Sequence, residues 1–303
     1  MTDVTSDFQA SKNGLLAPAT TGYLVLFVVV LVWAGFALTM RFIGASPLAT
    51  ADVALIRFVL PIVALLPAIP PRLAALRRVR PRDVALVLLG GVPFFFIASE
   101  GAKATSAAYV GALIAGTSPL SVALLAFVFE RKAVPRKRWL PLLLIVVGVI
   151  GIVVGQQQAV TTETLRGVGL LLIASLIWGA YTIGLRRTGI DAIANGLLLS
   201  IGSLIVLLAL ILTGAVTTHL GQFSWHEALP FILVQGLGVG LVSTVGYAFA
   251  ISRLGTAKSA TIGSLAPALA SLLAIPVLGE PLTLATAAGI LVITTGVILA
   301  NRH

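Results

Sequence analysis

Ten acidic side chains and three histidines are all that this chain of 303 residues offers for acid–base or metal chemistry. Asp3 and Asp7 stand in a polar N-terminal stretch, while Asp52, Asp83, Glu130, Glu163, Asp191, Glu227 and Glu280 fall in loops or at helix ends. Only Glu100, in FFFIASEGAKA, lies clearly inside a helical sequence. His219, His226 and His303 sit in a loop or in the C-terminal tail. No metal triad, carboxylate pair or nucleophile–base set can be assembled at these spacings, so neither an enzyme nor a cofactor is expected. With no cysteine there is no disulfide framework, thiolate site or iron–sulfur ligation.

What the sequence does offer is a sparse set of polar and aromatic residues in apolar surroundings. Arg57 lies six residues into an apolar run, about 9 Å below its start at ~1.5 Å per residue. A charge at that depth implies a pathway or a partner: a substrate carboxylate, a carboxylate of the protein, or free helix carbonyls. Glu100 can pair with Lys103 at i+3, or bind a substrate ammonium or a coupling proton. Trp33, Phe36, Trp178 and Tyr181, with Tyr109 and Tyr247, are expected near mid-membrane, away from the interfaces that Trp and Tyr favour. There they pack or touch ligand, and an aromatic pocket with few charges suits an amphipathic or aromatic substrate. Trp139 and Trp225 are expected as interfacial anchors.

Pro119, after GTS, and Pro267, after GSLA, fall mid-helix and free the carbonyls of Ala115 and Gly263. Broken backbone is tolerated in a membrane only where it is buried in protein or lines a wet cavity. These helices therefore act as gates or carry static kinks. Gly90, Gly91 and Pro93 in one helix, and Gly236, Gly238 and Gly240 in its counterpart, fit either close packing or a hinge. Gly148, Gly151 and Gly155 fit packing.

The elements that must position these residues follow from composition. Some 58% of residues are hydrophobic and 10% charged, far from the soluble norm of about 25% charged. A spanning helix needs roughly 20 mainly apolar residues. The chain is therefore expected to be an all-α polytopic membrane protein with ten helices, near 22–44, 51–70, 83–102, 105–129, 139–155, 167–187, 191–214, 229–251, 256–278 and 283–300. The first stretch lacks the basic start and cleavage site of a signal peptide, so the first helix is expected to be retained. Loops are mostly a few residues long, leaving no room for a soluble domain or for the docking loops of a receptor or scaffold.

Lysine and arginine set the orientation. With the N-terminus inside, 16 of the 20 fall in inside segments, three (Arg41, Lys103, Arg166) outside, and Arg57 within a helix. That asymmetry places both termini in the cytoplasm of a bacterial-type inner membrane. Charges confined to such loops are topology determinants, so the net charge of +10 does not imply nucleic acid.

The two halves repeat. LVWAGFALTMRFIG around Trp33 matches LIWGAYTIGLRRTG around Trp178 at an offset of 145, and Pro119 aligns with Pro267 at 148. The latter offset also pairs Gly148 with Gly296. Five helices is an odd number, so the second copy must enter from the opposite side. Basic 71–82 accordingly corresponds to 216–228, which holds no Lys or Arg. The expected organisation is a polar tail at 1–21, a first repeat at 22–155, a linker at 156–166, an inverted second repeat at 167–300 and a tail at 301–303. Inverted repeats are a recurrent design of secondary transporters working by alternating access.

Ten helices, a five-plus-five inverted repeat, and PLSVALLAFVFERKAV matched by PALASLLAIPVLGEPLT resemble the drug/metabolite transporter superfamily, and within it the EamA type. The likeness covers about 22–300, with Trp33, LIRFVL around Arg57, Pro119 with Glu130, and Pro267 with GEPL around Glu280. Among its branches the chain looks most like the YddG-like exporters of aromatic amino acids. The resemblance implies export of small organic metabolites through a cavity between the repeats, with protons as a candidate coupling ion. Alternatives are a broad drug or metabolite efflux carrier, an uncoupled facilitator or, outside transport, a membrane receptor or scaffold.

Overall fold

The computed structural model describes residues 18–131, 133–154 and 161–301. Most of the expected N-terminal tail, part of the linker, and Lys12, Lys132 and Arg302 lie outside the described residues. Among these, every regular element is helical. Nine helices are long and apolar enough to cross a membrane: Ala19–Ile43, Pro81–Lys103, Ala107–Val128, Arg136–Val154, Thr162–Thr188, Ala192–Leu212, Trp225–Leu254, Lys258–Leu278 and Leu284–Asn301. The bent pair Thr50–Ala64 and Leu66–Arg77, with 60° between its arms, makes a tenth. They are called the first to tenth spans in chain order.

The second span differs from its sequence expectation, because helix continues past residue 70 through part of the basic stretch. Leu65 ends the first arm, and Pro67, Pro70 and Pro71 then fall in first-turn positions of the new helical segments. There a missing N–H costs nothing, since those donors have no intrahelical partner.

The same rule reshapes the helices expected to be kinked. The third span breaks at Gly90–Gly91 and restarts at Val92–Lys103 with Pro93 in its first turn. In the fourth, widened i→i+5 turns over Gly111–Ala115 precede a restart at Ser118–Glu130 led by Pro119. The ninth restarts at Ala266–Leu278 led by Pro267. The eighth has no break but carries widened turns over Ile232–Ser243. So these prolines begin helical segments rather than kink continuous ones. Hydroxyls cover carbonyls in the broken fourth span: Thr117 Oγ1 reaches the Leu113 carbonyl and Ser175 Oγ donates to that of Ile114 at 3.1 Å. Such local satisfaction is what allows irregular backbone inside a bundle.

Small residues bring the fifth and tenth spans together. A Cβ on Gly148 would sit 2.8 Å from the Gly289 carbonyl oxygen, and one on Gly289 only 2.3 Å from Ile152 Cγ1. Gly151 differs from its expected packing role, since nothing lies within 4 Å of a Cβ there. Gly289→Leu should therefore destabilise the protein by about 1–3 kcal/mol or more through overpacking, and Gly151→Leu should not. Thermal unfolding of the two purified variants checks the contrast.

The outer surface is apolar. Phe27, Val63, Leu143, Ile205, Leu272 and Leu291 are all exposed along the spans, as a bilayer-facing surface requires. Trp139 and Trp225 are exposed at span ends, in keeping with interfacial anchors.

Candidate functional site

Arg57 sits at the centre of the arrangement, on the first arm of the second span, and is 5% exposed. Its guanidinium lies over two rings, 5.5 Å from the Phe36 centroid and 5.4 Å from that of Phe95. Nη1 donates to Gln235 Oε1 at 2.7 Å. Gln235 in turn donates through Nε2 to Thr39 Oγ1 at 2.8 Å. The Thr39 hydroxyl reaches the carbonyls of Gly35 at 2.8 Å and Phe36 at 3.1 Å. Both ends of the amide are thus committed, which fixes its oxygen toward Arg57.

Neither protein partner expected for Arg57 is the one observed. Among the described residues no carboxylate pairs with it, and its hydrogen-bond partner is a neutral side-chain amide. A guanidinium carries five donors, so most of its hydrogen-bonding capacity and its whole charge remain for something else.

Aromatic rings extend from this cation. Phe36 stacks on Phe94 at 6.1 Å, Phe94 meets Trp178 at 5.2 Å, and Trp178 meets Tyr181 at 5.0 Å. Phe36, Arg57, Trp178 and Tyr181 are therefore brought together from the first, second and sixth spans. Glycines permit the approach. A Cβ on Gly90 would collide with the Tyr181 ring at 2.5 Å, and one on Gly240 would lie 3.1 Å from the Arg57 carbonyl oxygen. Gly236 likewise faces the Ile56 carbonyl at 3.2 Å. These contacts seat the eighth span, with Gln235, against the second. Gly238 instead faces Val32 of the first span at 3.1 Å.

The other candidates lie elsewhere. Trp33 and Tyr247 pair at 4.9 Å in a separate cluster with Leu26 and Ala250. Tyr109 is buried, and its hydroxyl donates to the Ile152 carbonyl at 2.9 Å, tying the fourth span to the fifth. Glu100 is half exposed, with the Lys103 ammonium 2.6 Å away.

A cavity of about 540 Å³ opens at the Glu100 end, lined by Leu48, Thr50, Phe96, Glu100, Lys103 and His219 among others. Thr50 and Arg57 share a face of one helix at i, i+7, so Arg57 lies about 10 Å deeper, at ~1.5 Å per residue. Phe96, next to Phe95, lines the cavity. The vestibule wall at Thr50 thus stands about two helical turns from the Arg57 backbone, at ~1.5 Å per residue.

The EamA-like transporter family model matches residues 20–154 and again 165–302. The chain belongs to the EamA-like transporter family. Among relatives of this EamA-like protein is the threonine/homoserine exporter RhtA of Escherichia coli (strain K12), 30% identical over 203 residues, 65% of this chain and 62% of the relative. The protein of that name from Salmonella typhimurium (strain LT2) is 29% identical over 201 residues, 64% of this chain and 62% of the relative. The match thus spans less than two thirds of those relatives' length. A crystal structure of a protein 24% identical in sequence superimposes with a TM-score of 0.59, covering 93% of this chain and 97% of that one. It shows the shared fold.

Polar contacts hold both ends of this EamA-like bundle. Glu280, in the GEPL turn, accepts from Arg41 Nε at 3.1 Å and from the Ala107 backbone N–H at 2.9 Å. Arg41 Nη1 also donates to the Lys103 carbonyl at 3.2 Å. At the same end, Asp52 accepts the His219 N–H at 3.0 Å. At the opposite end Arg187 Nε lies 2.9 Å from Asp83, and Arg72 Nε 3.1 Å from Asp191. Burial alone would raise the Asp191 carboxyl, but the N–H of Ala194 and the Arg72 guanidinium outweigh it and hold it below its ordinary value. The Glu130 side chain lies outside the described residues.

Gln235 and Thr39 are functional candidates that the pattern of charges does not reveal. The signal for Gln235 is a lone amide in the apolar FILVQGLGVG. Nothing in the sequence near Thr39 says that its hydroxyl meets the eighth span.

Proposed function

We propose that this protein exports amino acids, aromatic ones included, by alternating access through a cavity between two inverted five-helix repeats. In this reading both termini are cytoplasmic in a bacterial-type inner membrane, and the vestibule opens outward. The observation that carries it is Arg57: a buried cation, without a carboxylate partner among the described residues, packed among aromatic rings. A charge there is costly unless it is used, and a substrate carboxylate would use it. Phe36, Trp178 and Tyr181 supply the walls for a side chain. The relatives named for threonine and homoserine export support an amino-acid substrate.

Transport in this reading needs Arg57 to become open to each side in turn. The breaks led by Pro93, Pro119 and Pro267, with Gly90 and Gly238, are the proposed flexing points. The Glu280 contacts and the Asp83–Arg187 and Arg72–Asp191 pairs are the proposed closures. Trp33, Tyr247 and Tyr109 then act on the moving helices rather than on ligand. Coupling follows from Glu100. Its carboxylate is held by Lys103 at the vestibule wall, so the proposed carrier follows its substrate's own gradient.

The test is uptake of labelled phenylalanine and threonine into liposomes holding the purified protein, with and without a pH gradient. Saturable uptake that competes with tryptophan and ignores the gradient is expected. Absence of uptake across an amino-acid panel would remove the substrate assignment. Acceleration by the gradient that disappears in Glu100→Gln would replace the facilitator with a proton-coupled carrier.

A further inference from the structure

The charge at the site has a second consequence, which rests on reading Arg57 as the partner of a substrate carboxylate. We infer that the same site takes aromatic monocarboxylates that carry no ammonium group, and holds them more tightly than the matching amino acids.

The inference starts from the sum of charges. Arg57 brings a full positive charge, and among the described residues no carboxylate pairs with it; its hydrogen-bond partner is the neutral Gln235 amide. A monoanion reaching Arg57 leaves the site neutral. A zwitterion leaves it with one net positive charge and sets a second cation within a few ångströms of the first, in surroundings that screen poorly. An α-ammonium therefore needs its own anionic or strong neutral partner.

The carboxylate, amide and carbonyl candidates are committed elsewhere. Glu100 is held by Lys103 at the vestibule wall. Gln235 Oε1 accepts from Arg57. The Gly35 and Phe36 carbonyls face the Thr39 hydroxyl, and the Leu113 and Ile114 carbonyls face those of Thr117 and Ser175. The faces of Phe36 and Phe95 already serve the guanidinium. Trp178 and Tyr181 remain, as ring faces and one neutral phenol oxygen that could attract an ammonium, but they bring no negative charge, and the rings equally accept an uncharged aryl group without desolvating a cation.

Three ligands of one shape separate the contributions: 3-phenylpropanoate has only the carboxylate, phenylalanine both charges, and 2-phenylethylammonium only the cation. Binding to the purified protein in detergent is read by calorimetry, because protonated acids leak through liposomes and obscure flux. At pH 7.5, 3-phenylpropanoate is expected to bind at least tenfold more tightly than phenylalanine, with no binding of 2-phenylethylammonium. Arg57→Gln should remove both carboxylate ligands. Equal or tighter binding of phenylalanine that still depends on Arg57 overturns this inference and leaves the amino-acid reading intact. Binding of either carboxylate that survives in a folded Arg57→Gln protein overturns both. If that variant does not fold, Arg57→Lys serves, since it keeps the charge but loses the planar fork. Weaker binding of both carboxylates with their order kept is then expected, and a reversed order counts against the inference.

Discussion

Arg57→Gln is expected to lower phenylalanine transport by roughly two orders of magnitude while the protein still folds. Glutamine keeps a polar head that can meet Gln235, but removes the charge and the planar pair of donors that fits a carboxylate. Truncating one partner of a buried, hydrogen-bonded charge pair costs about 2–5 kcal/mol. At about 1.4 kcal/mol per tenfold, that is roughly 30- to 4,000-fold in affinity. Stability should move the other way or not at all, because a buried cation whose one hydrogen-bond partner among the described residues is the neutral Gln235 amide carries a desolvation cost in the empty protein. Liposome uptake and thermal unfolding on the same preparation separate the two effects. Uptake at the unsubstituted rate would show that Arg57 merely packs between Phe36 and Phe95.

The helices were legible in the sequence because a bilayer demands long apolar runs, and few alternatives satisfy that demand. Arg57 was legible for the same reason: a charge six residues into such a run needs a partner, whether a substrate, a carboxylate or free helix carbonyls. Other features were not legible, because they depend on which faces meet. The sequence pattern treats Trp33 and Trp178 as equivalents, yet Trp178 joins the rings beside Arg57 and Trp33 packs with Tyr247. Tyr109 looks like a cavity aromatic until its hydroxyl is seen on the Ile152 carbonyl. Proline marks an interruption, but one residue type serves a kink and a fresh helix start alike. Pro119 and Pro267 turned out to be starts. Gln235 is harder to single out, because an uncharged amide in a membrane helix carries a weaker signal than an arginine. Its partners lie 178 and 196 residues away in sequence.

That amide supports the second large effect. Gln235→Glu should abolish carboxylate binding as completely as loss of Arg57, yet leave the protein as stable as before or more so. The change is isosteric and places a carboxylate 2.7 Å from Arg57 Nη1, where the amide oxygen now stands. The remaining carboxylate oxygen faces Thr39, whose hydroxyl can turn from the Gly35 and Phe36 carbonyls to donate to it. A buried anion is costly alone, but here it meets a cation that has already been desolvated, and completing such a pair offsets both penalties. A substrate carboxylate must then displace an internal one that is covalently held in place, so affinity should fall by about 100-fold or more, in line with the ~2–5 kcal/mol of a buried charge pair. Gln235→Met is the informative contrast. It deprives Arg57 and Thr39 of their shared partner, so the empty protein should melt earlier, while the free guanidinium still binds ligand. Thermal unfolding with and without phenylalanine reads the three proteins together. The ligand should raise the melting temperature of the unsubstituted protein, raise that of Gln235→Met by at least as much, and leave Gln235→Glu unmoved. A ligand shift that survives in Gln235→Glu would mean that the substrate carboxylate does not bind at Arg57.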